Sequence, residues 1–118
     1  MTFSRAQRHV AGGIAAFLCV AAGATAALSR NADPKKGEEV YAAQQCAVCH
    51  SVAGKGNKKY PLDGAGARLN AADIREWLVN PDAQQAKKNE RPLMKMKSYR
   101  GLPPEDLDAL VAYIESLK

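Results

Sequence analysis

Side chains with obvious chemistry are scarce in this sequence. Its 118 residues include 2 histidines, 3 cysteines and 1 tryptophan, and only 6% are aromatic. A Ser-His-Asp triad, a multi-histidine metal site and a disulfide-dense scaffold would each draw on a stock that the chain lacks. No segment alternates apolar and polar residues long enough to make a half-buried strand, so sheet architectures are excluded. The positive excess, 17 Lys+Arg against 12 Asp+Glu, is small. No basic run is interleaved with aromatics either, which excludes a nucleic-acid interface. The length leaves room for one domain.

What is present begins with a long apolar run. Val10 to Leu28 is almost wholly Ala, Val, Leu, Ile, Phe and Gly, preceded by Arg5, Arg8 and His9. A basic head, an apolar middle and the triplet Ala24-Thr25-Ala26 describe a secretory signal peptide over residues 1–26, cut after Ala26. The rival reading is an uncleaved anchor, since the run approaches the roughly 20 residues that span a bilayer, and membrane contact would then follow. Both readings export the domain over residues 27–118, to a periplasmic location. Cleavage removes Arg5 and Arg8, so Lys+Arg falls from 17 to 15 and the formal charge drops by two from +5. What remains is Cys46, Cys49, His50, Met94 and Met96.

Helix signals follow. Asp33 can cap, Pro34 suits a first helical position, and Gly37, Val40, Tyr41 and Gln44 recur at helical spacing up to about Gln45. From His50 to Asn70 the text is Gly, Lys, Asn, Pro and Asp without a period, which predicts a long loop of the kind that wraps a site. Asn70 caps a helix over Ala71 to Asn80 with Ile74, Trp77 and Leu78 on one face, and Pro81 stops it. Asp82 to Tyr99 reads as a second loop. Pro103-Pro104-Glu105-Asp106 then opens the last helix, acids first and Lys118 at the end, as the helix dipole favours. Its stripe is Leu107, Leu110, Val111, Ile114 and Leu117. The expected fold is all-α: three to four helices around one bound group.

That group is named by Cys46-Ala47-Val48-Cys49-His50. Cys-x-x-Cys-His is the attachment signature for c-type haem: two thiols can add to two vinyl groups of one porphyrin, and the adjacent imidazole lies beneath the iron. A thioredoxin-like pair would want a βαβ context, zinc would want two further Cys or His ligands, and a disulfide this short would stabilise little. A low-spin electron carrier needs a sixth ligand, and His with Met raises the potential. Met94 and Met96, in a Lys-rich loop with no helical stripe, are the candidates.

Here the chain resembles the single-haem class I cytochromes c over Asp33 to Lys118. The resemblance is carried by Gly37-x-x-x-Tyr41, the haem motif, Leu62-Asp63-Gly64-Ala65-Gly66, Trp77-Leu78-Val79-Asn80-Pro81, the methionine loop and Leu110-Val111-Ala112-Tyr113-Ile114. It implies a crossing of the first and last helices at Gly37, Tyr41 and Tyr113. Met96 is implied over Met94 as the distal iron ligand, from the form Met96-Lys97-Ser98-Tyr99-Arg100-Gly101-Leu102. The resemblance also implies that a carbonyl accepts the proton on the far nitrogen of His50, at Tyr60 or Pro61, because Lys59-Tyr60-Pro61-Leu62 departs from the usual Gly-Pro. Lys97 replaces a common proline, which implies a looser loop with one more charge. Trp77, and more weakly Arg68, would contact a haem propionate; the plain alternatives are a core aromatic and a solvated arginine.

Lys55, Lys58, Lys59, Lys87, Lys88, Arg91, Lys95 and Lys97 crowd the two loops that would flank the haem edge. They suit redox partner proteins with an acidic docking surface. Of the function classes, an electron carrier leads. An enzyme acting alone would need an open iron and an acid–base residue, and no spare histidine exists. Gas-binding cytochromes of the c′ kind carry the motif late in the chain, whereas Cys46 comes early. The remaining alternative is a haem subunit of a larger, for example sulfur-oxidising, complex.

Overall fold

The computed structural model describes residues 32–89 and 91–118. The signal-peptide reading of residues 1–26 lies outside them. The order is α1 (Pro34–Ala43), a 3₁₀ turn (Cys46–Val48), β1 (His50–Val52), β2 (Lys55–Gly56), β3 (Tyr60–Pro61), α2 (Ala65–Arg68), α3 (Ala71–Val79), α4 (Pro81–Lys87) and α5 (Pro104–Ser116). No described helix is long and apolar enough to cross a membrane.

The three expected helices form where their signals stand. The Asp33 carboxylate accepts from the amide of Lys35, with Pro34 at the first helical position. The Asn70 side chain accepts from the amide of Asp73, satisfying one of the donors that a helix start leaves open. In α5, Leu107, Leu110, Val111 and Ile114 are buried as the stripe requires, and Leu110 is fully enclosed. They pack with Val40 and Tyr41 of α1, Ala65 of α2, and Ile74 and Leu78 of α3.

The loops hold more structure than expected. Residues 50–61 carry a small sheet of order β2-β1-β3, with β1 antiparallel to β2 and parallel to β3. Its strands have two or three residues each, too few to show a period of two. Pro81 ends α3 but also begins α4, and Asn80 serves as the last cap of one helix and the first of the next. A proline lacks the N–H that continues a helix and has the φ that starts one.

Two glycines set the layout. A Cβ on Gly37 would stand 2.0 Å from the Ala109 carbonyl oxygen and 2.5 Å from Cβ of Tyr113, so only glycine lets α1 lie on α5. Tyr41 and Tyr113 pack at this crossing with ring centroids 5.6 Å apart. A Cβ on Gly66 would stand 1.8 Å from the Glu115 carbonyl oxygen, which brings α2 onto the end of the same helix.

Gly37→Ala should therefore cost about 3 kcal/mol, the upper end of ordinary overpacking, because backbone cannot retreat as a side chain can. Gly101, with nothing within 4 Å of its would-be Cβ, is the control. Denaturant midpoints of the two alanine variants should separate widely, with Gly101→Ala near wild type.

Candidate functional site

The site is a cavity of about 550 Å³ lined by 22 residues, among them Cys46, Cys49, His50, Trp77, Met94 and Met96. Its volume is within the roughly 300–1,000 Å³ usual for cofactor sites. One wall comes from the turn after α1. Gln45 takes a left-handed conformation, φ 55°, which breaks the helix and starts the 3₁₀ turn. Side chains three apart nearly eclipse in such a turn. Cys46 and Cys49 are thereby held on one side, with the Cys49 amide donating to the Cys46 carbonyl at 3.1 Å. Both are half-buried free thiols.

The turn is held from outside by Asn57. Its amide donates to the carbonyls of Ala47 and His50, both at 3.0 Å, and its side chain donates to the carbonyl of Val48 at 3.1 Å. Sequence reading missed Asn57, since its partners lie seven to ten positions away and nothing local marks it. Asp63, from the Leu62–Gly66 motif, accepts from the Ala53 amide at 2.8 Å through its carboxylate and closes the next turn.

His50 opens β1 beside Tyr60 of β3. Its Nδ1 lies 3.0 Å from the Tyr60 carbonyl oxygen. A carbonyl can only accept, so Nδ1 carries the proton and Nε2 keeps its lone pair for a metal. Of the two acceptors left open by the sequence, the structure selects Tyr60.

A second wall is the methionine loop. Met96 is half-buried and packs against the core, whereas Met94 is 44% exposed although it also reaches the cavity lining. At Lys97 the side chain reaches back across the structure. Lys97 Nζ donates to Gln44 Oε1 at 3.2 Å and lies 5.0 Å over the Tyr99 ring. Ser98 Oγ donates to the Val79 carbonyl at 2.7 Å, and the Tyr99 amide to that of Leu78 at 2.8 Å. These are carbonyls that the end of α3 leaves without helical partners. Arg100 then donates to Asn80 Oδ1.

Trp77 and Arg68 both line the cavity. Lys88 Nζ stands 5.1 Å from the Trp77 ring centre. Arg68 Nη1 donates to the Asp63 carbonyl at 3.0 Å. Burial raises the Cys46 thiol, opposed by a weak contact to the Tyr99 hydroxyl at 4.0 Å. A thiol held protonated is a poor redox nucleophile. Among the described residues no cluster of three or more His, Cys, Asp or Glu is placed to hold a bare metal ion.

A family model described as Cytochrome c matches residues 34–118, which spans every element above. The chain belongs to the cytochrome c family. No curated protein and no solved structure matches it. The cofactor of a cytochrome c is covalent haem c with its iron, and the domain serves haem-based electron transfer. The residues of this cavity fit that group. Two thiols and an imidazole with a free Nε2 stand on one wall, a sulfur on the other, and apolar side chains such as Leu62, Leu69, Ile74 and Leu78 between. The Tyr41 hydroxyl is buried at the lining with no partner among the described residues, as expected where a cofactor supplies part of the environment.

Burial pushes Tyr41 and Tyr99 each up to about 12. The unfolded state then loses these protons first, near pH 10, so the stability they hold is intact below pH 10 and is lost as pH rises towards 12. Denaturation midpoints taken from pH 8 to 12 should fall over that window, and Tyr41→Phe should make the fall shallower.

Proposed function

We propose that the chain is a single-haem electron carrier with haem attached at Cys46 and Cys49, His50 as proximal ligand and Met96 as distal ligand. When bound, haem supplies a one-electron couple between ferrous and ferric iron. The protein's part is to hold the His50 imidazole and the Met96 thioether still, so that little would have to rearrange when the charge of a bound haem changes. Tyr60 fixes the tautomer and direction of the imidazole and makes Nε2 a stronger donor. The carrying observation is the asymmetry of the methionines. Three ties at residues 97–99 begin one position after Met96, which is packed on the core, while Met94 lies among exposed neighbours and Leu93 is 75% exposed. Trp77 and Arg68 line the cavity and are the residues that would donate to haem propionates.

We further propose that the domain is exported through residues 1–26 to the periplasm and exchanges electrons with proteins bearing an acidic docking surface. Lys59, Arg68 and Lys88 line the cavity itself. Away from the cavity lining Lys36 pairs with Asp106 at 2.6 Å and Arg75 pairs with Asp108, so two acids of α5 are already engaged. Long-range attraction then orients an acidic partner towards the haem edge.

Reduced haem-loaded protein should keep its absorption spectrum under carbon monoxide, because the sixth position is filled. Met96→Ala should shift promptly under the gas and Met94→Ala should not. The reverse pattern would move the ligand to Met94, and a shift in the wild type would replace the carrier reading with gas binding or catalysis. Separately, the rate of electron transfer to an acidic partner should fall about tenfold between ionic strengths of about 0.01 and 1 M, where the screening length shrinks from about 30 to 3 Å. A rate indifferent to salt would remove the docking proposal.

A further inference from the structure

We propose that Tyr60 is a positioning residue that ties the two walls of the haem cavity together, its carbonyl on the His50 imidazole and its hydroxyl on the loop that carries Met96. The proposal rests on the reading of Met96 as distal ligand. Tyr60 precedes Pro61, which restricts it to extended backbone, and both residues pair with β1. Backbone geometry therefore sets the carbonyl and the ring together. The ring meets the His50 imidazole edge-on, centroids 6.4 Å apart at 63°. At its far end the hydroxyl oxygen accepts from the amide of Leu93 at 3.4 Å.

Leu93 is where the loop needs holding. Its own side chain is 75% exposed, so packing contributes little there. Downstream of Met96 the loop is fastened at Lys97, Ser98 and Tyr99. Upstream, the loop also has an ion pair from Lys95 to Asp82 at 3.9 Å, with both side chains largely in solvent and worth little. The phenol of Tyr60 closes the upstream half. A ligand displacing Met96 has to swing that half away, and the Tyr60–Leu93 hydrogen bond opposes it.

Tyr60→Phe keeps the ring and the carbonyl and removes only the acceptor. In the haem-loaded ferric protein, imidazole should bind about two- to tenfold more tightly than to wild type, the worth of one hydrogen bond. The Leu93 amide should exchange with solvent faster by a similar factor. In a Met96→Ala background, where no methionine has to be displaced, Tyr60→Phe should leave imidazole affinity unchanged. If Met96→Ala opens the iron to carbon monoxide but Tyr60→Phe alters neither imidazole affinity nor Leu93 exchange, Tyr60 is only a structural neighbour and the proposal fails alone. If Met96→Ala leaves the iron closed, the distal assignment falls and takes this proposal with it.

Discussion

Everything in this fold hangs on how closely backbone approaches α5. Helices usually pack 8–10 Å apart, spaced by side chains. Here Gly37 puts α1 against the Ala109 carbonyl and Gly66 puts α2 against that of Glu115, so two segments meet one helix with no side chain between. Hydrogen bonds follow where the backbones touch: the Gly66 amide donates to the Leu117 carbonyl, and Lys118 Nζ donates to the Gly66 carbonyl, both at 2.9 Å. The haem motif follows α1 directly and the cavity lining continues into α2. Fixing those two helices on one spine fixes both ends of the segment that carries Cys46, Cys49 and His50.

The other wall is positioned by a different economy. The last carbonyls of a helix need donors, and the proline after α3 cannot supply one. Ser98 and Tyr99 do, at Val79 and Leu78. The methionine loop thus satisfies the helix end, and the helix end in return sets the loop two residues beyond Met96. Removing either party would free the loop from the helix end and hand these carbonyls back to water, at the modest net worth of a hydrogen bond, about 1 kcal/mol each. The same logic holds around the 3₁₀ turn, where Asn57 takes up three carbonyls.

These two devices also mark the limit of what the sequence discloses. Helices α1, α3 and α5 were legible because caps, proline placement and apolar spacing are local signals, and Cys46 to His50 because covalent attachment demands one spacing. The β1 ladder was not, since a strand of three residues has no period to read. Helix α4 was hidden by Pro81, whose meaning as a stop and as a start is the same residue type seen from two sides. The acceptor for His50 could be narrowed to Tyr60 or Pro61 but no further, because β-pairing register decides it. The contact of Lys97 was not legible because its partner, Gln44, is 53 positions away in the chain.

The size of the cavity gives the cofactor a structural part as well as a chemical one. A domain of about 90 residues buries only roughly 60–65% of its unfolded surface. In this chain the buried Tyr41, Ala65, Ile74, Leu78, Leu110 and Ile114 all border the cavity as well as the protein core. They form a shell around a space of about 550 Å³ rather than a filled centre. Interiors lose dispersion contacts wherever one side of a side chain has no partner atoms. A covalently held apolar group supplies those contacts at once and cannot dissociate. The methionine loop then closes over a surface that is always present, so the closeness of α1 and α2 to α5 and the filling of the cavity act as one cooperative unit.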